Sequence, residues 1–299
     1  MSELAIVIVN YNTRSLTLDC LKSLYKNPPS GTFEVWLVDN ASSDDSTERI
    51  ERNFPQVKLI KSKTNLGFAG GNNLALKEVC DKAKYCLLLN TDTLVYPDSL
   101  DNLIKFAREN NFAVSSCKLL SPDKSFQPNT GSLPTFFPMF FWLSGVDDIV
   151  KRFIAIPSYH QESKVFYKKD RQVGWISGSV LLIESEVFKK IGFLDEKIFM
   201  YGEDVDFCWR AKKAGFRIGW TGSTKILHIG GASSDKPRLK QWSGEFKGLF
   251  YLYRKYYGAW AALMVRFLSY PFIILRALAF LVIGKPEHAK TYVQVITNI

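Results

Sequence analysis

The sequence predicts an α/β protein with a mostly parallel sheet covered by helices on both faces. Through residues 1–120, apolar runs of strand length alternate with helix-length patterns. The runs are apolar at successive positions, as strands buried on both faces are. Four polar clusters fall at the expected carboxyl ends of strands, where a doubly wound sheet places its ligands.

In order, Leu4–Val9, Phe33–Val38, Val57–Ile60, Tyr85–Leu89 and Ala113–Ser116 read as strands. Between them Ser15–Lys26, Asp44–Asn53, Gly71–Lys82 and Pro97–Glu109 read as helices, several with Ser, Thr or Asp near the start. Residues Ser121–Gln172 break the rhythm. Pro122, Pro128, Pro134, Pro138 and Pro157 are interleaved there with Phe and Trp, as in an irregular excursion or a lid near the site. Regularity returns with a strand at Trp175–Ile183, helices at Ser185–Ile191 and Glu203–Ala214, and a strand at Phe216–Trp220. A loop holding His228 and Gly230-Gly231 is expected next.

At 46% hydrophobic and 14% aromatic, the chain has material for a sizeable core, which excludes disorder, collagen-like repeats and a disulfide scaffold. Cys20, Cys80, Cys86, Cys117 and Cys208 are scattered, mostly in apolar runs, with no Cys-x-x-Cys pair. They read as buried thiols in a reducing compartment. The apolar run Leu4–Val9 is too short for the core of a signal peptide, so a cytoplasmic protein is expected.

The net charge of +10 is unevenly placed. From Lys236 onward ten basic residues face two acidic ones, leaving +8, whereas the first 235 residues carry +2. The excess lies among Trp, Phe and Leu, which points to a membrane surface rather than to nucleic acid. Tyr256–Val265, Phe267–Leu275 and Ala277–Gly284 are apolar runs of ten, nine and eight residues, separated by Arg266 and Arg276. None reaches the ~20 residues that span a bilayer. Pro271 is expected to kink or break a helix. Residues 236–299 are therefore expected to form an interfacial helical hairpin, with docking onto the preceding domain or a second subunit as the alternative and a true span last.

The first polar cluster is Asp39-Asn40-Ala41-Ser42-Ser43-Asp44. Asp39 can accept the imide N–H of a pyrimidine base or cap the turn into the next helix. The second, Asn65-Leu66-Gly67-Phe68-Ala69-Gly70-Gly71-Asn72-Asn73, lets backbone approach an anion at a helix start without forming Gly-x-Gly-x-x-Gly. In the third, Asn90-Thr91-Asp92-Thr93, a carboxylate past a buried strand either pairs with a divalent cation on a diphosphate or caps a helix. The fourth, Gly202-Glu203-Asp204-Val205-Asp206, crowds three carboxylates at a helix start. Asp206 and Arg210 stand at i, i+4, the spacing of a local ion pair. Glu203 or Asp204 can serve as a general base.

These residues resemble the family 2 glycosyltransferases. The set comprises Ile6-Val7-Ile8-Val9-Asn10-Tyr11-Asn12, VDNASSDDS, NLGFAGGNN, LLLNTD, WISGSVLLI, GFLDEKIFMYGEDVDFCWR and His228, in the family's order. It covers residues 1 to about 235 and looks most like the rhamnosyltransferase-like branch. The resemblance implies a GT-A fold, Rossmann-like, for residues 1–235, with a nucleotide-sugar half at 1–120 and an acceptor and catalytic half at 121–235. It also implies transfer of a sugar, possibly rhamnose, with inversion, from a nucleoside-diphosphate sugar to a lipid-linked or polysaccharide hydroxyl at the cytoplasmic membrane face. Val9, Asn10, Tyr11, Asn12, Asp39, Asn65, Gly67, Phe68, Asn72, Asn90 and Thr91 would bind the donor. Asp92 and His228 would hold Mg²⁺ or Mn²⁺. Trp175, Gly178 and Ser179 would face the acceptor, with Asp204 as base and Glu203 beside it. One departure is that Asn90 stands where the family's Asp-x-Asp has its first carboxylate, so the phosphates must supply more of the metal's coordination. A homodimer is a further expectation for the apolar tail. Two rival classes are a sugar-nucleotide pyrophosphorylase, against which Asn10-Tyr11-Asn12-Thr13 replaces a Gly-rich basic loop, and a non-catalytic membrane-bound sugar-binding subunit.

Overall fold

The computed structural model describes residues 1–230 and 239–299. Strand β1 (Ser2–Asn10), helix α1 (Arg14–Lys26), β2 (Phe33–Asp39), α2 (Ser46–Asn53), β3 (Lys58–Lys61), α3 (Gly67–Val79) and β4 (Ala83–Leu89) follow the predicted alternation. Next come β5 (Thr93–Val95), α4 (Ser99–Glu109), β6 (Val114–Leu120), β7 (Phe126–Gln127) and β8 (Thr130–Gly131). The excursion contains α5 (Phe136–Ser144) and α6 (Val146–Val150) and ends at β9 (Arg171–Gln172). Then follow β10 (Trp175–Ile176), β11 (Val180–Glu184), α7 (Ser185–Ile191), α8 (Glu203–Lys213) and β12 (Ile218–His228). Three helices close the chain: α9 (Leu239–Tyr257), α10 (Ala259–Val282) and α11 (Pro286–Asn298).

The main sheet runs β3-β2-β1-β4-β11-β6-β12-β5. The β3-β2-β1-β4 half is parallel, as is the β6/β12 pair, while β11 enters antiparallel between β4 and β6. Successive apolar residues of β1 serve opposite faces. Leu4, Ile6 and Ile8 pack with α1, α2 and α4, while Ala5 and Val7 pack with the layer holding α3, α7 and α8. Two-sided burial of this kind is what makes the strands apolar throughout.

Four expectations are corrected. Helix α3 begins at Gly67, so most of the glycine-rich stretch is helical. A Cβ at Gly67, where φ is +71°, would lie 2.2 Å from the Phe199 carbonyl oxygen, so both torsion and space require glycine. The expected strand 175–183 is two strands, because Gly178 leaves the ladder to donate its N–H to Asp204. Strand β12 runs on to His228, which therefore sits on a strand rather than in a loop. Gly231 and the expected boundary at 235/236 lie outside the described residues.

The fourth correction concerns the tail. Helix α10 continues through Arg266, Pro271 and Arg276 for 24 residues, long and apolar enough by length and composition to cross a bilayer. Pro271 removes one backbone donor but does not end the helix. Ser269, Ile273 and Ala277 on either side of it are buried, and α10 packs on α9 and α11. Helix α9 is joined to the preceding domain, with Phe246, Leu249 and Leu252 in the same core as Val205 and Phe207 of α8.

Candidate active site

A cavity of about 610 Å³ opens at the carboxyl ends of β1 and β4 and beside the first turn of α8. Its lining includes Val9, Tyr11, Asn65, Gly67, Phe68, Asn90, Thr91, Asp92 and His228 together with Trp175, Gly178, Ser179, Glu203 and Asp204. Asn10, Asn12, Asp39 and Asn72 are not on the lining; Asn10, Asp39 and Asn72 are buried near it, and Asn12 is exposed. Asn10 donates to Asp39 at 2.8 Å and to Ser42 at 3.0 Å, and Asp39 also accepts from the Ser42 backbone N–H at 3.1 Å. Asp39 thus holds the turn after β2. Asn12 accepts from the Ser43 N–H, and Asn72 donates to the Phe68 carbonyl.

Asp92 and His228 meet because β5, which follows Asp92, pairs with the last residues of β12. His228 Nε2 lies 3.2 Å from Asp92 Oδ1, and the Gly230 N–H donates to Asp92 Oδ2 at 3.1 Å. Burial pushes the Asp92 carboxyl up, but the hydrogen bond and charge of His228 and the Gly230 N–H outweigh it, leaving a net lowering. On the other side of the ring, His228 Nδ1 lies 2.8 Å from Gln127 Oε1. In the neutral ring with Nδ1–H donating to that amide, Nε2 no longer carries a proton toward Asp92, and its lone pair and the Asp92 carboxylate then suit a shared cation. Among the described residues no group of three or more His, Cys, Asp and Glu converges, so these two side chains form an incomplete ligand set.

The acidic first turn of α8 divides its work. Asp204 Oδ2 accepts from the Gly178 N–H at 2.9 Å and Oδ1 from the Val205 N–H at 2.8 Å. Burial nevertheless raises its pKa above the ordinary carboxylate range. Glu203 is buried, its Oε2 has no hydrogen-bond partner, and burial with the neighbouring Asp204 charge pushes it far up. Of the two, Glu203 is pushed up by burial and by its neighbour's charge with no side-chain donor to offset it, whereas two backbone N–H groups oppose the rise at Asp204. Fully buried Asp206 points elsewhere, to Arg210 Nε at 2.7 Å, Lys255 Nζ at 2.6 Å and the Tyr256 hydroxyl at 2.8 Å. The expected Asp206–Arg210 pair is present, and it also ties α8 to α9.

Beyond Asp204 the cavity continues into a chamber built by the excursion and the C-terminal helices. Trp142, Tyr159 and Trp175 surround His160, whose pKa burial and then the Arg276 charge push down to about 4. Sequence reasoning missed Gln127, His160, Glu245 and Arg276, since partners remote along the chain leave no local pattern. Pro and aromatic enrichment in 121–172 was the available signal. All five cysteines are free and buried, with burial raising each thiol pKa.

The profile of glycosyl transferase family 2 matches residues 5–180. The chain belongs to that family. This family 2 glycosyltransferase is 27% identical over 243 residues to an N-acetylglucosaminyl-diphospho-decaprenol L-rhamnosyltransferase of Mycobacterium tuberculosis, covering 76% of this chain and 77% of the relative. It is 28% identical over 260 residues to rhamnosyltransferase WbbL of Escherichia coli K12, covering 84% and 92%. Its fold is similar to that of the mannosyltransferase PcManGT from Pyrobaculum calidifontis, solved with GDP-Man and Mn²⁺, at TM-score 0.59 and 15% identity over 99% of this chain and 86% of that one. The GT-A fold of this glycosyltransferase and its rhamnosyltransferase-like character agree with the motif order.

Proposed function

We propose that this glycosyltransferase moves a sugar, with inversion, from a nucleoside-diphosphate sugar to a hydroxyl of a lipid-linked acceptor in cell-surface glycan synthesis. The observation that carries the reading is the position of Asp204, a charged carboxylate held by two backbone N–H groups. It lines the same cavity as the Asp92–His228 pair and the aromatic residues Trp142, Tyr159 and Trp175.

In this reading Asp204 takes the proton of the attacking hydroxyl as the anomeric bond to the diphosphate breaks. Its raised pKa makes it a better base than a surface aspartate, while the two N–H donors keep it ionised. Glu203, pushed up further by burial and by the Asp204 charge, is the poorer candidate for the base. Asp92 and His228 would hold a divalent cation that neutralises the leaving diphosphate, and Gln127 fixes the imidazole for it. Asn90, Thr91 and Asn65 line the donor end; Asp39, Asn10, Asn12 and Asn72 fix the turns around it. Trp175, Gly178 and Ser179 face the acceptor. Arg276 is the one Arg or Lys on the lining among the described residues, and it suits an anionic group beyond the acceptor sugar.

The tail is proposed to lie in the cytoplasmic membrane interface rather than to cross it. One side of α10 is already covered by α9 and α11, and α9 is fastened to Asp206. A span would strip away those contacts. A homodimer through the same apolar face is the competing use of this surface. The decisive experiment screens nucleotide sugars for transfer to a polyprenyl-phosphate-linked sugar with Mg²⁺ or Mn²⁺. Transfer from none of them, with nucleotide still bound, would return the chain to the non-catalytic binding class.

A further inference from the structure

Two apolar surfaces adjoin at the far end of the cavity, and they come from parts of the chain more than a hundred residues apart. On α5, Phe136, Phe137 and Phe140 are 72%, 65% and 44% exposed, while Pro138, Met139 and Leu143 are buried. On α10, Phe267, Leu275, Leu278 and Leu281 are exposed, while Ser269, Ile273 and Ala277 are covered. The helices meet where Arg276 donates to the Trp142 carbonyl, its guanidinium 5.8 Å from the centroid of the Trp142 ring. Past α6, Phe153 and Ile154 extend the open apolar surface. Contiguous open rings on this scale mark an interaction surface.

The charges nearby are mostly positive. Arg152, Arg266, Lys285 and Lys290 are exposed along these segments; of the acids, Asp148 is engaged by Lys151 at 2.8 Å and Arg276 at 3.6 Å, and Glu287 is exposed between Lys285 and Lys290. Open rings beside long cationic side chains suit a lipid interface, where the rings enter the acyl boundary and the cations reach the headgroups. A second copy of the chain meeting this face about a two-fold axis would set like charges together. An anionic bilayer complements them.

We propose that α5 and α10 form one membrane-docking surface, with the rings of Phe136, Phe137 and Phe140 entering an anionic leaflet beside the apolar side of α10. The proposal rests on the membrane reading above and adds a second, sequence-remote element to it. Trp142 and Leu143 of α5, and Phe272, Ile273 and Arg276 of α10, line the cavity that holds Asp204. The docked surface thus surrounds the route from the lipid to the base.

The test is flotation of the full chain with vesicles of phosphatidylcholine alone or with a third phosphatidylglycerol. It compares wild type with the triple variant Phe136→Ser, Phe137→Ser, Phe140→Ser. Losing three partly inserted rings should weaken binding to the anionic vesicles on the order of 10²-fold. Wild type that floats with neither vesicle overturns the membrane reading itself. Wild type that floats while the variant floats equally overturns only the role of α5. A second measurement covers misfolding of the triple variant. Since the native thiols are buried, Phe137→Cys and, on α1, Lys22→Cys each give one reactive site for a polarity-sensitive dye. A blue shift on adding anionic vesicles at 137 but not at 22 supports the proposal. No shift at 137, or a concentration-dependent shift without vesicles, overturns it, the latter in favour of self-association.

Discussion

Asp204→Asn separates binding from chemistry. The carboxylate accepts from the Gly178 N–H at 2.9 Å and the Val205 N–H at 2.8 Å. An amide keeps one oxygen acceptor and sets its NH₂ against the other N–H. An unmet backbone donor of this kind costs about 1–3 kcal/mol, part of which is regained because Glu203 loses a like-charged neighbour. The expected fall in Tm is therefore a few degrees. The effect on rate is larger: general-base assistance of ~10²- to 10⁴-fold corresponds to about 3–5 kcal/mol of activation free energy. The hydrogen bonds of Asp204 run to Gly178 and Val205 and not to Asp92 or His228, so nucleotide affinity should hold. The assay pairs turnover at saturating donor and acceptor with calorimetric titration of the nucleoside diphosphate in Mn²⁺. Turnover above about a tenth of wild type would refute the base assignment. Lost nucleotide binding would refute the separation of the two ends.

Asp206→Ala should destabilise the fold by about 3–5 kcal/mol, because it leaves Arg210 and Lys255 around a buried gap; an unchanged denaturation midpoint would contradict this. Gln127→Leu should weaken metal-dependent nucleotide binding ~10- to 100-fold by freeing the His228 ring, and Asp92→Ala and His228→Ala should each weaken it as well. Full activity in excess chelator would return all three residues to packing. With the Asp204 pKa raised by burial, the base is lost as pH falls through that raised value, so kcat should decline at a higher pH than the ordinary aspartate near 3.9 allows. A flat acid limb down to pH 4 would show that another group limits the rate.

The parallel half of the fold was legible because each strand is buried on both sides and each helix has one apolar face. Leu4–Val9 and Phe33–Val38 needed only a residue or two added at their ends. The break at Gly178 was not legible, because it depends on Phe68 and Asp204: a Cβ there would lie 2.8 Å from Phe68 Cζ. Helix α10 was misread because sequence shows Pro271 and two arginines but not the neighbours against which the helix continues through them. Asp92 and His228 come together only by the β5/β12 pairing, and β5 is three residues long, too short to leave a pattern. Read alone, Asp39 fits base recognition and turn capping equally, and the resemblance assigns it to the donor. Its hydrogen bonds in the structure form the turn.

Asp204 and Asp206 stand two positions apart on α8, so one projects into the cavity and the other toward α9. This spacing sets where the molecule can be recombined. A chimera that exchanges everything from residue 236 onward discards Lys255 and Tyr256, and with them a counter-charge and a hydroxyl donor that seat Asp206 in the first turn of α8. A junction at Gly258, whose φ of +91° already marks the corner between α9 and α10, retains that knot and replaces only the outer helices. The exchangeable part of this enzyme therefore begins after α9, and α9 itself travels with the first turn of α8.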